Sequence, residues 1–324
     1  MIPDARRDAL QRWLQAELRG AGFSLAPASE DASFRRYFRA TLDDGRTFVA
    51  MDAPPEREDC RPFVRVATLL GEAGVHAPKV LGQDLAQGFL LLTDLGHRTY
   101  LQALDEGSAS ALFADATDAL LRWQLASRPG VLPPYDAALL RRELQLFPEW
   151  YVARHRGVSL DAAQSQALEA VFAALVSSAL GQPSVYVHRD YMPRNLMVCE
   201  PNPGVLDFQD AVYGPITYDM VSLLRDAFLS WEEERVIDWA ARYWEKAKRA
   251  ALPVAADFGE FWRAFEWMGL QRHLKVLGIF ARIHYRDGKP KYLQDTPRFI
   301  EYARKTAGRY RELAPLLRLL DAIE

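Results

Sequence analysis

The most constraining feature of the chain is a run of 23 residues near its middle, from Val185 to Asp207. An apolar strand, Val185-Tyr186-Val187, delivers His188-Arg189-Asp190. A short loop places Asn195 five positions after Asp190, and an apolar segment, Leu196 to Val198, leaves at once. Pro201-Asn202-Pro203-Gly204 turns the chain back, and Val205-Leu206 leads into Asp207-Phe208. Pairing of the two short segments brings Asn195 and Asp207 together. Any one of these residues alone fits a buried polar turn. The ordered set is much more restrictive.

On either side of this run the chain has two characters. Asp4 to Arg19 has the spacing of an amphipathic helix, with Leu10, Trp13, Leu14 and Leu18 on one face. Short strands follow at Phe23–Ala26, Tyr37–Thr41 and Thr47–Met51, the last two joined by the turn Asp43-Asp44-Gly45. A helix over 59–73 precedes two more strands, 78–81 and 89–92. Beyond Gly96 the pattern is mostly helical, over 109–128, 137–155, 161–180 and from Tyr218 to the end. The expected fold class is α+β. A small antiparallel β lobe with one packed helix occupies 1–95, and a larger, mostly helical lobe occupies 96–324.

Composition adds mainly exclusions. Forty basic and 43 acidic side chains give a net charge of −3, with none of the basic excess of a nucleic-acid or membrane-surface protein. Cys60 and Cys199 match neither a disulfide framework nor a zinc spacing, which favours the cytoplasm. The N-terminus has no apolar signal core, and no apolar run is long enough to span a bilayer. Oligomeric state is left open.

The residue types in the central run suit phosphoryl transfer, which needs positioning and charge neutralisation more than covalent chemistry. Asp190 is the candidate base for an attacking hydroxyl. Asn195 and Asp207 supply the hard oxygen ligands that Mg²⁺ prefers. His188, emerging from a buried strand, is expected to fix the loop. Asp219, at the start of a helix, is expected to cap or brace it.

This pattern, His188-x-Asp190-x-x-x-x-Asn195 followed by a hairpin and Asp207-Phe208, resembles the catalytic and metal loops of the bilobal protein-kinase-like fold. Its Pro193-x-Asn195 ending is closer to the aminoglycoside phosphotransferase branch. The resemblance spans nearly the whole chain and implies ATP and Mg²⁺. It makes Thr93-Asp94-Leu95-Gly96 similar to the hinge that holds adenine, so Asp94 and Leu95 become nucleotide contacts. Asp31 to Arg39, Met51 to Pro55 and Asp207 to Pro215 further resemble the anomeric N-acetylmuramate/N-acetylglucosamine kinases of bacterial cell-wall recycling. Those enzymes phosphorylate the sugar C1 hydroxyl, so the implied partner is a small sugar.

The pattern has departures. No Lys stands in Phe48-Val49-Ala50-Met51-Asp52, where related folds hold phosphates with one. Arg35 and Arg36 are the nearest substitutes, with Ser33 and loop amides adding hydrogen bonds; the alternative is that these arginines are solvated or pair with Glu30 and Asp31. Gln209 replaces the usual Gly after Asp207-Phe208. Asp210 and Tyr213 are candidates for the substrate mouth. Gln271, Lys275 and Arg282 form one polar stripe on an otherwise apolar helix. It reads either as a pocket for an anionic or hydroxyl-rich substrate or as internal ion pairs with Glu266 or Asp226. Two rival functions stay open: a kinase of an aminoglycoside, choline or an amino-acid alcohol, and a nucleotide-binding pseudokinase.

Overall fold

In the computed structural model, residues 4–29 and 34–323 are described. The expected Ser33 contact falls outside them. The chain divides into two compact units, each made of two segments. The first is Met1–Trp123 with Arg194–Asp210, and the second is Gln124–Pro193 with Ala211–Glu324.

The first unit is built on a five-stranded antiparallel sheet. Its strands are β1 (Phe23–Ser29), β2 (Arg36–Leu42), β3 (Thr47–Asp52), β4 (Val80–Asp84) and β5 (Phe89–Thr93), in spatial order β1-β2-β3-β5-β4. Side-chain alternation sorts the strands into two faces. Phe38, Ala50, Phe89 and Leu91 turn to helix α1 (Ala5–Glu17) and pack against Leu10 and Leu14. Each such buried Phe or Leu contributes roughly 1.5–3 kcal/mol. Tyr37, Arg39, Val49 and Leu92 face the other way and line a cleft. Helix α2 (Arg61–Glu72) sets its apolar face, including Phe63, toward this side, where Phe63 meets Phe208 with ring centroids 4.6 Å apart.

The second unit is helical, apart from a two-stranded ladder. Its longest element runs from Phe258 to Asp287 and is buried around most of its circumference in the stretch from Phe265 to Ala281. The expected single helix 137–155 is instead an α-helix, Ala137–Leu146, continued by a π-helix, Phe147–His155. Pro148 explains the change. It has no N–H to give the carbonyl four residues back, so the ladder widens there. A strand that the sequence analysis missed, Val212–Pro215, pairs antiparallel with Ser184–Val187. No helix among the described residues is long and apolar enough to cross a membrane.

Candidate functional site

In the second unit, the strand Ser184–Val187 is buried from Val185 onward and ends at His188. Its partner, Val212–Pro215, leads through a two-residue link into the helix Tyr218–Leu224. That short path carries Asp219 back beneath the strand end. One Asp219 carboxylate oxygen accepts the His188 backbone N–H at 2.7 Å, and the other accepts that of Arg189 at 3.0 Å. Burial pushes the Asp219 carboxyl up to about 7, while the two N–H bonds pull it down. The Asp190 N–H points at His188 Nδ1, 3.3 Å away, and the Met192 N–H closes a tight turn on the Asp190 carbonyl at 2.9 Å. The Asp190 backbone is therefore held on one side by the His188 ring and on the other by the Met192 N–H, and the residue is only partly buried. Arg189 sits at φ +77°, a left-handed conformation costly for any residue with a Cβ.

The guanidinium of Arg189 reaches Glu143 Oε1 at 2.6 Å. Lys275 Nζ meets the same oxygen at 2.9 Å, and Gln271 Nε2 donates to Oε2 at 3.2 Å. Tyr135 donates its hydroxyl to Oε2 as well. Burial alone would raise the Glu143 carboxyl, but Lys275 and Arg189 overcome it and hold the group down to about 2. Two members of the predicted polar stripe, Gln271 and Lys275, are thus engaged with a carboxylate inside the unit. Glu266, one partner considered for the stripe, instead takes Arg225 and Arg309. Arg282 lies two turns beyond Lys275, partly buried, with its Nε making no hydrogen bond. Tyr213 pairs across the ladder with Tyr186, and their rings meet edge-on.

In the first unit, a minimal ladder pairs Leu196 with Val205 and Met197 with Gly204. The Leu206 N–H donates to the Asn195 carbonyl at 2.9 Å, which fixes the strand ends. Asn195 Nδ2 then lies 3.3 Å from Asp207 Oδ2. Asp207 adopts φ +62°, and Gln209 Nε2 donates to its other oxygen at 2.8 Å. The residue replacing the usual glycine thus helps to orient the carboxylate. Asp210 follows, exposed to solvent.

Arg35 and Arg36 diverge. Arg35 Nη2 approaches Asp207 Oδ1 at 3.7 Å. Arg36 turns to the other face of the sheet, where it pairs with Asp4 and, at 2.5 Å, with Asp52. Arg6 also reaches Asp52 at 2.5 Å. The last residue of β3, Asp52, is therefore a fully buried carboxylate paired with two arginines and directed away from the cleft, while Val49 of the same strand lines it.

The cleft has a volume of about 290 Å³, and its lining includes Val49, Leu92, Leu95, Met197, Asn195 and Asp207. Arg39, which the sequence analysis did not single out, also lines it and pairs with Asp94 at 2.6 Å. Burial would raise the Asp94 carboxyl, but Arg39 and the Gly96 N–H bring it below the usual carboxylate range. The alternation of β2 was the available signal, because it places Arg39 on the face of Tyr37. Glu143 was missed too. Its signal was a charged residue at an apolar-face position of its helix, beside Leu140 and Leu144.

A cleft with apolar walls at Val49, Leu92 and Leu95, and with Asn195, Asp207 and Arg194 also in its lining, suits a nucleotide with its phosphates. Residues 24–258 match the phosphotransferase enzyme family (APH). The chain is 56% identical to an N-acetylmuramate/N-acetylglucosamine kinase of Pseudomonas aeruginosa, covering 100% of this chain and 98% of that protein. It is 52% identical to one of Neisseria meningitidis, over 97% and 95%. A streptomycin–ATP–APH(2")-IIa ternary complex shares the fold with a TM-score of 0.61 at 15% identity, covering 92% of this chain and 97% of that one. A choline/ethanolamine kinase family protein from Mesorhizobium loti has the same TM-score and identity, over 97% and 99%. The fold, the matched span and the relatives agree that the chain is a small-molecule kinase and belongs to the phosphotransferase enzyme family.

Proposed function

We propose that the enzyme transfers the γ-phosphate of ATP to the anomeric C1 hydroxyl of N-acetylmuramate or N-acetylglucosamine, in the recycling of cell-wall sugars in the cytoplasm. The observation that carries this reading is 56% identity, end to end, to a kinase named for those two sugars. Functionally, residues 1–95 serve the nucleotide and 96–324 serve catalysis and the sugar.

Asp190 is assigned as the base. It accepts the proton of the C1 hydroxyl as the new O–P bond forms and the bond from the γ-phosphorus to ADP breaks. The backbone bonds around His188, Arg189 and Asp190 support that role, since a base must be held within hydrogen-bond reach of its proton. The backbone of Asp94 and Leu95 is assigned to the adenine edge, and Arg35 to the phosphates in place of the missing Lys.

Asn195 and Asp207 fit a magnesium ion. Asn195 Nδ2 and Asp207 Oδ2 lie 3.3 Å apart, so an amide and a partly exposed carboxylate, both bearers of hard oxygen, stand side by side. No cluster of three His, Cys, Asp or Glu stands among the described residues. Two protein oxygens, with phosphate and water completing the shell, match the habit of Mg²⁺. When bound, the ion neutralises charge that develops on the phosphates.

The test is to incubate the purified protein with Mg²⁺-ATP and, separately, N-acetylmuramate, N-acetylglucosamine, kanamycin and choline, following ADP release and the phosphorus NMR of the product. An acid-labile sugar 1-phosphate from the amino sugars alone is the expected result. Transfer only to kanamycin or choline would overturn the substrate assignment.

A further inference from the structure

The backbone bonds to Asp219 hold the first two N–H groups of the catalytic loop, the second of them in the residue before Asp190, whose carbonyl also accepts from the Ser222 hydroxyl at 3.4 Å. That residue is Arg189, at φ +77°. Such a backbone costs about 1–3 kcal/mol for a non-glycine residue, and it persists only where the surroundings over-determine it. Glycine would remove the cost. The long cationic side chain present instead runs inward to a buried carboxylate on a different helix, at 2.6 Å.

That carboxylate is set up to receive it. Glu143 is 5% exposed and accepts from Tyr135, Gln271, Lys275 and Arg189. Lys275 in turn donates to the Tyr218 hydroxyl at 2.9 Å, one residue before the Asp219 that binds the loop backbone. Arg189 also lies over the Tyr135 ring, 5.8 Å from its centroid. The loop residue is thus tied to Tyr135 and Glu143, and the carboxylate it shares with Lys275 links it to the long helix. Two cations share one carboxylate, so removing Glu143 takes from both the charge they share.

We infer that Glu143 is a positioning residue: through Arg189 it holds the left-handed turn that sets the Asp190 carboxylate in place for proton transfer. This rests on the reading of Asp190 as the base. The tether acts on the orientation of Asp190. Its loss lowers kcat and leaves KM for sugar and ATP nearly unchanged. A displacement of about 1 Å at a reacting group is worth on the order of 100-fold in rate.

The experiment compares Glu143→Gln, Arg189→Ala, Arg189→Gly and Asp190→Asn for kcat, both KM values and thermal midpoint. Arg189→Ala and Glu143→Gln are expected to lose about 10- to 100-fold in kcat with KM within twofold. Arg189→Gly, which takes the left-handed backbone without strain, is expected to lose less than Arg189→Ala. If Glu143→Gln does not fold, the two Arg189 variants, which leave Lys275 paired, decide the matter. Full kcat in both, with only a lower midpoint, would overturn the tether. Near-normal turnover in Asp190→Asn would sink the base assignment itself. An inactive Asp190→Asn beside fully active Arg189 variants would sink the tether alone.

Discussion

Asp219 and His188 are joined by a 2.7 Å hydrogen bond from a backbone N–H to a fully buried carboxylate, and the second oxygen of that carboxylate binds the next N–H in the chain. Asparagine at this position has one acceptor oxygen, and its amide nitrogen would face a second N–H donor. A buried, unsatisfied donor costs about 1–3 kcal/mol. Asp219→Asn is therefore expected to lower the thermal midpoint by several degrees and kcat by at least about tenfold. Calorimetry and steady-state rates on the same preparation check it; an unchanged kcat would show that this carboxylate does not position the loop.

Arg35 and Arg36 are neighbours in sequence but face opposite sides of the sheet, so their substitutions should separate. Arg35→Ala is expected to raise KM for ATP by about fivefold or more with little change in stability, because a guanidinium near phosphate contributes a charge-assisted contact. Arg36→Ala breaks a pair with the buried Asp52 and should leave KM for ATP unchanged. Its stability loss is about 1–3 kcal/mol, reduced from the full buried-pair value because Arg36 is partly exposed and Arg6 still covers Asp52. Because Asp52 faces away from the cleft, Asp52→Lys should not improve catalysis. It would add a third cation beside Arg6 and Arg36. Kinetics of all three variants, with urea denaturation, test the assignment.

The central run was legible because each of its parts is local. A strand, a loop of fixed length and a short ladder bring Asn195 and Asp207 together whatever the rest of the chain does. The first five strands were legible as short apolar or alternating segments set off by turns such as Asp43-Asp44-Gly45, although the fourth, expected at 78–81, forms at Val80–Asp84. The partner of the Ser184–Val187 strand was not, because Val212–Pro215 is short, contains Gly214 and Pro215, and gains its identity only by pairing. The π-helix was hidden because its apolar spacing still looks helical; only Pro148 marks the change. The tie between Glu143 and Arg189 spans 46 residues, and no periodicity reports a long-range ion pair. Sequence could show that Glu143 stands on an apolar face, but not which cation it meets. Likewise the divergence of Arg35 and Arg36 follows from strand β2 beginning at Arg36, a boundary that pattern reading places only to within a residue or two.

Gly278 explains how the π-helix can lie against the long helix Phe258–Asp287. A Cβ built there would stand 2.3 Å from the Leu146 carbonyl carbon and 2.4 Å from its oxygen. These are backbone atoms, which no rotamer change can move. In an open helix, Gly→Ala would gain about 1 kcal/mol of helix propensity. Here the clash reverses the sign, and overpacking of this kind costs typically 1–3 kcal/mol or more. Gly278→Ala is expected to lower the thermal midpoint markedly or to prevent soluble expression. A midpoint at or above that of the parent protein would show that the two helices can separate freely.

Glu143 also predicts a pH dependence with a definite sign. Its folded carboxyl is held down to about 2, against an ordinary value of 4.5. A group whose folded value is depressed stabilises the protein above the unfolded value, and the gain is lost as pH falls through the folded one. The shift of about 2.5 units corresponds to roughly 3 kcal/mol, present above about pH 5 and lost progressively toward pH 2. In Glu143→Gln this part of the acid dependence should be absent, so the stability gap between parent and variant narrows as pH falls. Urea denaturation at intervals from pH 7 to pH 3 measures it. A gap that stays constant over that range would show that Glu143 is not ionised by Lys275 and Arg189 in the folded protein.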